Sequence, residues 1–242
     1  MGKTLSKPIQ RSLTPRLPPA PSSPPSGVPG VVATRELQDP VTISVICPTL
    51  NRHNHHEALY RTFASQDHEA KDLWVIDDST SPSPFFTKLG DSDPRVHYQR
   101  SQVRTSIGHT RNALIQACAG AVVAHFDDDD FYAPHYLSSM LERLRRADAD
   151  FVKLGVWNER NEKDGGRWQY DGYRKAQHDL WGWGFSYVYR RYVATRVSFP
   201  AISHAEDYAF VQSLWAVGLK TEMVRDGADW VLKRYSEHER RA

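Results

Sequence analysis

From about residue 41 onwards, the chain alternates short apolar runs with stretches of helical periodicity. Strands are predicted where β-branched and apolar residues run together, at 42–49, 73–78, 95–100, 121–126 and 150–156. Between these runs, Leu59 and Phe63 stand four residues apart, as do Leu137 and Leu141, which indicates amphipathic helices. Strands that alternate with helices predict an α/β protein with a mostly parallel central sheet.

Acidic clusters follow two of these strands and open a later helix. FDDDD at 126–130 follows the fourth strand, VIDDST at 75–80 ends the second, and HAEDYAF spans 204–210. Parallel sheets bind ligands at the carboxyl ends of their strands, so we expect the first two clusters at one edge of the sheet. Consecutive carboxylates repel one another, and without a cation some should hold their protons above the usual pKa.

The FDDDD segment predicts a metal-linked site. A hard divalent cation takes one or two carboxylates together with phosphate oxygens and water. In an extended backbone Asp127 and Asp129 would share one face, with Asp128 and Asp130 on the other. The alternatives are a solvated acidic turn, or a cap for a helix that begins at Pro134.

The other two clusters also have structural interpretations. Asp77 and Asp78 could simply end their strand and cap a turn. Ser203 and Glu206 have the spacing of a capping box, so Glu206 could cap the helix that follows. The capping-box pattern gives no role to Asp207. A carboxylate that faces a cleft can act as a general base towards a substrate hydroxyl.

Residues 1–40 differ in composition from the rest of the chain. They hold nine of the 15 prolines, no Phe, Trp or Tyr, and an excess of basic over acidic residues. Such a segment buries too little apolar area to offset the entropy of ordering it. We predict a disordered, Pro-rich basic tail over 1–40 and a single folded domain over 41–242. The tail is either a solvated extension or a tether to an acidic surface or to a proline-recognising partner.

The net charge and the hydropathy of the chain exclude some classes of protein. The net charge of +2 argues against a nucleic-acid-binding footprint. Cys47 and Cys118 lie in apolar runs and are predicted to be buried free thiols, which fits a reducing compartment. The tail has no apolar signal-peptide core, and no run approaches the ~18 residues of a membrane span. We therefore predict a cytoplasmic protein, with peripheral membrane contact only through the basic tail.

Four segments, taken in order, resemble the family 2 glycosyltransferases. They are SVICPTLNR (44–52), VIDDST (75–80), TRNALIQACAGAVVAHFDDDD (110–130) with Pro134, and HAEDYAF (204–210). The resemblance extends over roughly Thr42 to Gly218. It implies the GT-A nucleotide-sugar fold, a Rossmann-like three-layer α/β/α sandwich. It also implies a nucleotide-diphosphate sugar donor, by default a UDP-sugar, and Mn²⁺ or Mg²⁺ as cofactor.

The resemblance further implies roles for individual residues. Asp207 would be the catalytic base and Asp129 the direct metal contact. Asp78 would contact the nucleotide base and Arg111 the nucleotide or its phosphates, although the Arg111 segment lacks the family's glycine. The full set implied at the nucleotide and donor is Pro48, Thr49, Asn51, Asp78, Arg111, Asp127 and Asp128.

The acceptor side is expected in QHDLWGWGFSYVYRR at 177–191, which is rich in aromatic residues and glycine. Trp181, Trp183 and Tyr187 have flat apolar rings that suit a pyranose, with core and lid packing as the alternative. Glu206 is a further acceptor candidate.

These observations predict a metal-dependent, inverting glycosyltransferase of the hexosyltransferase type. It would move one sugar to a polysaccharide intermediate, a lipid-linked sugar or a protein. One rival is a catalytically silent glycosyltransferase-like binding or scaffold module. The other is a nucleotidyltransferase, which would need a glycine-rich loop after the first strand, where PTLNRHNHH stands instead.

Overall fold

The computed structural model describes residues 35–161 and 163–235. Within them the backbone forms eleven strands and six α-helices. The strands are β1 (Ile43–Thr49), β2 (Lys71–Asp77), β3 (Val96–Arg100), β4 (Val122–His125), β5 (Phe131–Tyr132), β6 (Phe151–Leu154), β7 (Val156–Asn161), β8 (Arg167–Asp171), β9 (Val188–Arg190), β10 (Thr221–Val224) and β11 (Val231–Tyr235). The helices are α1 (His56–Ala64), α2 (Pro84–Leu89), α3 (Ile107–Ala117), α4 (Tyr136–Arg146), α5 (Gln177–Trp181) and α6 (Glu206–Ala216).

Seven strands form the main sheet, in the order β10-β6-β9-β4-β1-β2-β3. Its neighbouring strands are parallel except at β9, which runs antiparallel to both β4 and β6. Strand β1 lies in the interior and is buried on both faces, so its sequence is a continuous apolar run with little alternation. The predicted α/β fold with a mostly parallel central sheet is confirmed.

Helices cover both faces of the main sheet. Helices α1, α2 and α4 pack on one face, where Leu59 and Val45 belong to the same core. Helices α3 and α6 pack on the other, where Leu114 and Phe210 meet Ile46. Val45 and Ile46 are neighbours on β1 and point to opposite faces, as successive strand residues do. This is the predicted three-layer α/β/α sandwich.

A second, four-stranded sheet has the order β5-β11-β7-β8. Strand β7 begins one residue after β6 ends, so this sheet starts at the carboxyl edge of the main sheet. Strand β8 returns antiparallel to β7, and β11 lies parallel to β7 on its other side. Near the tip of the β7–β8 pair, Gly165 has a φ of 72°, a left-handed conformation that glycine adopts without steric cost. We call the β7–β8 pair the ribbon.

Two predicted boundaries differ from the structure. The strand predicted at 150–156 is divided, because the chain leaves the main sheet at Leu154 and enters the ribbon at Val156. The helix expected to begin at Pro134 begins at Tyr136, with His135 as its N-cap residue. Cys47 and Cys118 are buried free thiols, as predicted, and burial raises the pKa of both.

The described part of the predicted tail lies against the domain. Arg35 forms ion pairs with Asp148 and Asp150, each at 2.9 Å. Arg190 in turn donates a hydrogen bond to the carbonyl oxygen of Arg35 at 2.5 Å. Residues 1–34, which hold the rest of that tail, lie outside the described residues, and their disorder stays a prediction. Across 35–161 and 163–235, no helix is long and apolar enough to cross a membrane.

Candidate active site

The carboxyl ends of β1, β2 and β4 bring two of the acidic clusters together. Thr49 and Asp77 are paired at the ends of β1 and β2, and the N–H of Asp78 donates to the carbonyl of Thr49 at 2.9 Å. From the end of β4, Asp128 reaches across and accepts the Thr49 hydroxyl at 2.5 Å. The predicted convergence of these clusters at one sheet edge is therefore present.

The four aspartates at 127–130, which we call the acidic loop, form a turn. The N–H of Asp130 points back to the carbonyl of Asp127 at 3.4 Å, so the backbone is not extended as the sequence argument assumed. The side chains nevertheless separate in alternation. Asp128 and Asp130 are buried, whereas Asp127 and Asp129 keep 34% and 14% of their side-chain surface exposed. The loop is thus neither a solvated turn nor a cap for α4.

The buried members of the loop hold protons unusually well. Burial raises the pKa of Asp128 to about 7, against the opposing effects of the Thr49 hydroxyl and Arg52. Burial likewise raises the pKa of Asp130, against the attraction of Lys233. The expectation of raised carboxyl pKa values is confirmed, but loss of solvent is the larger cause and charge repulsion the smaller one.

Two cationic side chains partly neutralise the negative charge of the acidic loop. The sequence analysis identified neither of them as a partner of the loop. Arg52 forms ion pairs with Asp128 and Asp129. Lys233, on β11, lies 3.9 Å from Asp127 and 3.7 Å from Asp130. Arg52 stands at the end of a quoted motif and could have been considered. Lys233 approaches the loop only through the second sheet, so the local sequence around it carried no signal.

The oxygen donors of the acidic loop fit a hard divalent cation. Such ions accept one or two protein carboxylates and complete their coordination with phosphate oxygens and water. Asp127 and Asp129 offer carboxylates of this kind at the sheet edge, with part of their surface in solvent. Among the described residues, no group of three His, Cys, Asp or Glu side chains is placed to hold a metal without other ligands.

Asp77 and Asp78 have separate roles. Asp77 is fully buried and accepts hydrogen bonds from the Ser79 N–H at 2.9 Å and the Tyr98 hydroxyl at 2.9 Å. It caps a turn, which confirms the structural interpretation for this residue. Asp78 accepts the Thr110 hydroxyl at 2.9 Å through Oδ2. Its Oδ1 is buried and has no hydrogen-bond partner in the described part of the chain.

The residues of the PTLN stretch at 48–51 form part of the structure that supports the site. Thr49 is buried and contacts His56 as well as Asp128, at 3.1 Å from the imidazole Nε2. Asn51 adopts a left-handed φ of 56°, and its backbone N–H donates to the Ser79 hydroxyl at 2.6 Å. Pro48 is half-buried near the end of β1.

The start of α6 does not form the capping box that the sequence suggested. The N-cap residue is Ala205, with a φ of 59° and no side-chain cap. Ser203 instead accepts the backbone N–H of Ile107 at 3.4 Å. Glu206 is turned inward and binds Arg111 of α3 at 2.6 Å, because that buried guanidinium offers a charged partner.

Arg111 joins the last acidic cluster to α3. It forms ion pairs with both Glu206 and Asp207 while only 3% exposed. One terminal nitrogen of the guanidinium is engaged by both carboxylates, while its buried Nε has no hydrogen-bond partner among the described residues. The contact of Arg111 with a nucleotide or its phosphates stays a prediction. The N–H of Gly184 donates a second hydrogen bond to Asp207 at 3.0 Å.

Electrostatics connect Asp207 with the acidic loop. Burial raises the pKa of Asp207, Arg111 works in the opposite direction, and the negative charges of Glu206 and Asp127 add to the rise. Asp127 is thus near enough to Asp207 for their charges to interact. Hydrogen bonds connect the two clusters as well: the Tyr132 hydroxyl accepts the Asp127 N–H and donates to the carbonyl of Phe185, the residue after the Gly184 that binds Asp207.

Lys153 is a further buried charge that sequence reasoning missed. It lies on β6, fully buried, and donates a hydrogen bond to the Leu180 carbonyl at 2.6 Å. Burial lowers its pKa to about 7, and the charge of Asp207 partly offsets that decrease. A lone lysine inside the apolar run DFVKLGV was the available signal.

The three aromatic candidates for the acceptor side differ in position. Tyr187 is fully buried, and its hydroxyl donates to the carbonyl of Trp181. Trp181 packs edge-on against Trp215 at 5.3 Å. Trp183 is half-buried, and Lys233 Nζ lies 5.5 Å from its ring centre, on the side of the acidic loop. Burial is the main cause of the raised pKa of Tyr187, and the charges of Asp207, Arg111 and Glu206 also affect it, so its hydroxyl lies near the candidate site as well.

Comparisons with solved structures agree with this architecture. The chain superposes on S. aureus TarS 1-349 in complex with UDP-GlcNAc with a TM-score of 0.67 and 18% identity, over 83% of this chain and 61% of that one. It superposes on the mannosyltransferase PcManGT from Pyrobaculum calidifontis, in complex with GDP-Man and Mn²⁺, with a TM-score of 0.65 and 19% identity, over 81% and 58% of the two chains. At this identity the likeness shows a shared GT-A fold.

Sequence comparison gives the family. The chain is 27% identical over 103 residues to the colanic acid biosynthesis glycosyl transferase WcaA of Escherichia coli (strain K12), covering 41% of this chain and 36% of that protein. The chain thus spans little more than a third of that relative and about three fifths of the two structural neighbours. Residues 44–200, well over half of the chain, match the profile of Glycosyl transferase family 2. With the acidic loop and Asp207 at one edge of a GT-A sheet, this match shows that the chain belongs to glycosyl transferase family 2.

Proposed function

We propose that this protein transfers a sugar from a nucleotide-diphosphate donor to an acceptor hydroxyl, with inversion and with Asp207 as the general base. The observation that carries the proposal is the setting of Asp207. Its side chain keeps only 15% of its surface exposed, is held by Arg111 and the Gly184 N–H, and lies within electrostatic reach of Asp127. A fixed carboxylate beside a loop of acidic oxygens is what such a transfer needs.

The donor would bind at the carboxyl ends of β1, β2 and β4. The unpartnered Oδ1 of Asp78 supports a contact with the nucleotide base, because a buried acceptor gains most from an N–H donor of a ligand. Pro48 and Asn51 would border the nucleotide. Thr49 and Asp128 would contribute indirectly, because their mutual hydrogen bond holds the acidic loop in place. We propose UDP as the default carrier, with GDP as the alternative that one structural neighbour's ligand suggests.

Asp129 would hold the divalent cation, Mn²⁺ or Mg²⁺, and Asp127 would lie towards the ribose and donor. When bound, the cation supplies neutralisation of the charge that develops on the departing diphosphate. Arg52 now occupies the Asp129 carboxylate. It would have to share or release that oxygen when the donor complex forms, and its guanidinium is suited to phosphate oxygens.

Asp207 would accept the proton of the acceptor hydroxyl. The hydroxyl oxygen forms a bond to the anomeric carbon as the bond from that carbon to the diphosphate oxygen breaks, and the nucleoside diphosphate leaves. Displacement from the opposite side in one step inverts the configuration. The raised pKa of Asp207 makes it a stronger base than an ordinary carboxylate, which general-base catalysis near neutral pH favours.

For the acceptor and the cellular location, we propose only the class of molecule and the compartment. Colanic acid biosynthesis by WcaA makes a polysaccharide intermediate the first choice, and a lipid-linked sugar or a protein the alternatives. Trp183 is the acceptor candidate that the geometry favours, ahead of Trp181 and Glu206. The buried thiols fit the reducing cytoplasm, and peripheral membrane contact through the basic tail remains part of the proposal.

The test compares two single variants. Asp207→Asn should keep nucleotide binding and lose roughly 10²- to 10⁴-fold in transfer rate, because the amide cannot accept the proton of the acceptor hydroxyl. Asp129→Ala should lose the metal-dependent part of nucleotide binding. Binding is measured as the thermal shift given by UDP or GDP with Mn²⁺, Mg²⁺ or a chelator, and transfer as release of nucleoside diphosphate.

The outcomes also separate the rival functions. Full transferase activity in Asp207→Asn would rule out this base. Nucleotide affinity that is equal with and without metal in the native protein would rule out the role given to Asp129. A metal-dependent shift without turnover of any nucleotide sugar would favour a silent binding module. Release of pyrophosphate from a nucleoside triphosphate would favour a nucleotidyltransferase.

A further inference from the structure

One face of the ribbon carries aromatic rings in two cross-strand rows. In the antiparallel register Trp157 opposes Tyr170, and Glu159 opposes Trp168. Trp157 stacks on Tyr170 with ring centres 4.1 Å apart and planes 14° apart. Of these residues Trp157 and Glu159 are buried, Tyr170 is half-buried and Trp168 is exposed. Residues two apart on a strand point to the same side, so the four side chains lie on one side of the ribbon. We call it the aromatic face.

Glu159 fixes the orientation of the two indoles. Its carboxylate is buried, and its Oε1 accepts the indole N–H of Trp157 at 3.0 Å. Its Oε2 accepts the indole N–H of Trp168 at 2.7 Å. Hydrogen bonds to an ionised carboxylate are stronger than neutral ones and hold a ring in one position. Trp168 still keeps 36% of its surface in solvent, so a pre-oriented ring is presented outward.

The aromatic face continues into the candidate active site. Trp183 meets Trp157 edge-on at 6.2 Å and Tyr170 edge-on at 6.3 Å. The next residue, Gly184, is the one whose N–H binds the proposed base Asp207. The inner end of the face therefore borders the place where the acceptor hydroxyl must lie.

The outer end of the face lies farther along the ribbon. Glu159 is two residues beyond Trp157 on β7, and Trp168 is its cross-strand partner. A strand rises about 3.3 Å per residue, so Trp168 stands roughly 7 Å further from the main sheet than the Trp157 row. A ring at Trp183 and a ring at Trp168 are thus separated by the intervening Trp157–Tyr170 stack.

We propose that the aromatic face binds an oligosaccharide acceptor, with its reacting sugar against Trp183 and an outer sugar against Trp168. The inference rests on the proposed function and deepens it by naming the substrate class. Aromatic rings pack against the apolar faces of sugars, and rings fixed before binding lose little freedom when the ligand arrives. A single sugar bound at Trp183 is too short to contact Trp168 as well. The two rings together therefore favour binding of a carbohydrate chain over a free monosaccharide or a protein side chain.

The test uses a glycan array with mono-, di- and oligosaccharides, probed by the full chain with UDP or GDP and Mn²⁺. Trp168→Ala should bind its oligosaccharides roughly tenfold more weakly than the native protein, and Trp168→Phe should recover part of that loss. Gln169→Ala is the matched control, because it lies on the same strand with its side chain on the opposite face. It should bind like the native protein.

Three results would overturn the inference. They are equal oligosaccharide binding by Trp168→Ala and the native protein, an equal loss in Gln169→Ala, and native binding that does not increase from mono- to oligosaccharides. The thermal shift given by UDP or GDP with Mn²⁺ is recorded for each variant. An intact shift with unchanged glycan binding contradicts only the acceptor site. Absence of the shift from the native protein contradicts the proposed function itself.

Discussion

Buried charge is concentrated around Asp207. Arg111, Glu206 and Lys153 each expose less than a tenth of their surface, and all interact with this carboxylate or with each other. Removing such groups from water is costly, and an apolar core of the same volume would often be as stable or more so. Ionisable groups with shifted pKa values gathered in one place are typical of a functional site.

Lys153 gives a prediction about stability and pH. Its folded pKa of about 7 lies below the ~10.4 of an unfolded lysine, so the unfolded chain binds more protons between these values. The free energy of unfolding should therefore rise with pH above 7, by at most about 1.4 kcal/mol per pH unit from this group. Lys153→Met should lack that contribution. Urea unfolding at pH 7 and pH 9 measures it.

The control for this prediction is Lys88→Met, which replaces an exposed lysine of α2. It should keep the pH dependence of the native protein. If Lys153→Met and the native protein gained equally in stability between pH 7 and pH 9, Lys153 would not be a neutralising buried lysine.

At the residue scale, the sequence revealed the carboxylates better than their partners. Asp129 and Asp207 were found because acidic runs beside apolar segments are visible locally. The partner of Asp207 was not, because Arg111 lies 96 positions earlier and meets it only through the packing of α3 on α6. Glu206 was interpreted as a cap for the same reason, since the local spacing fits a capping box and the inward turn depends on Arg111.

At the element scale, the loop between α5 and β9 holds the proposed base in place. Gly184 lies in that loop and approaches Asp207 too closely for a side chain. A Cβ on Gly184 would stand 2.5 Å from Oδ1 and 2.6 Å from Oδ2 of the carboxylate. A side chain at residue 184 would therefore have to displace the Asp207 carboxylate, which Arg111 holds from the other side.

Gly184→Ala should displace the Asp207 carboxylate and lower kcat by roughly 10²-fold, because small misplacements of a reacting group are that costly. The thermal shift given by nucleotide and metal should stay as in the native protein. Gly166→Ala, at the ribbon tip, meets only the end of the Asp164 side chain and should leave kcat unchanged. A fully active Gly184→Ala would show that Asp207 tolerates movement or is not the base.

The elements themselves were largely predictable up to residue 154. The main strands β1, β2 and β4 are apolar runs buried on one or both faces, and this hydrophobic pattern is sufficient to predict them as strands. Strands β8 and β9 were not identified. Strand β8 is mostly exposed and β9 has three residues, so neither carries a hydrophobic pattern long enough to distinguish it from a loop.

At the scale of the whole molecule, the described segment that precedes β1 forms ion pairs with residues at the start of β6. Arg35 binds Asp148 and Asp150, and Asp150 also accepts the Tyr192 hydroxyl at 2.5 Å and the Lys220 N–H at 2.8 Å. One carboxylate thus joins the N-terminal segment, β6, the segment after β9 and the approach to β10.

A chain shortened to begin at Val41 should unfold at a lower temperature than one that begins at Arg35. The expected difference in the free energy of unfolding is about 1 kcal/mol, because Arg35 keeps 45% of its side-chain surface in solvent and Asp150 retains its bonds to Tyr192 and Lys220. Arg35→Ala in the full chain should reproduce most of it, whereas Arg61→Ala, which breaks an exposed pair with Glu57, should cost at most about 0.5 kcal/mol. Equal melting temperatures for the two shortened chains would place the domain boundary at 41, as the composition suggested.

The position of β9 has a consequence for how the protein is made. Strand β9 stands between β4 and β6 in the sheet, yet it follows β4 by about sixty residues in the chain. While the ribosome synthesises that stretch, β4 has one edge of unpaired backbone groups beside the apolar side chains of Val122, Val123 and Ala124, and such an edge is a template for association with other chains. The interval between the emergence of β4 and that of β9 is therefore when a nascent chain most needs a chaperone.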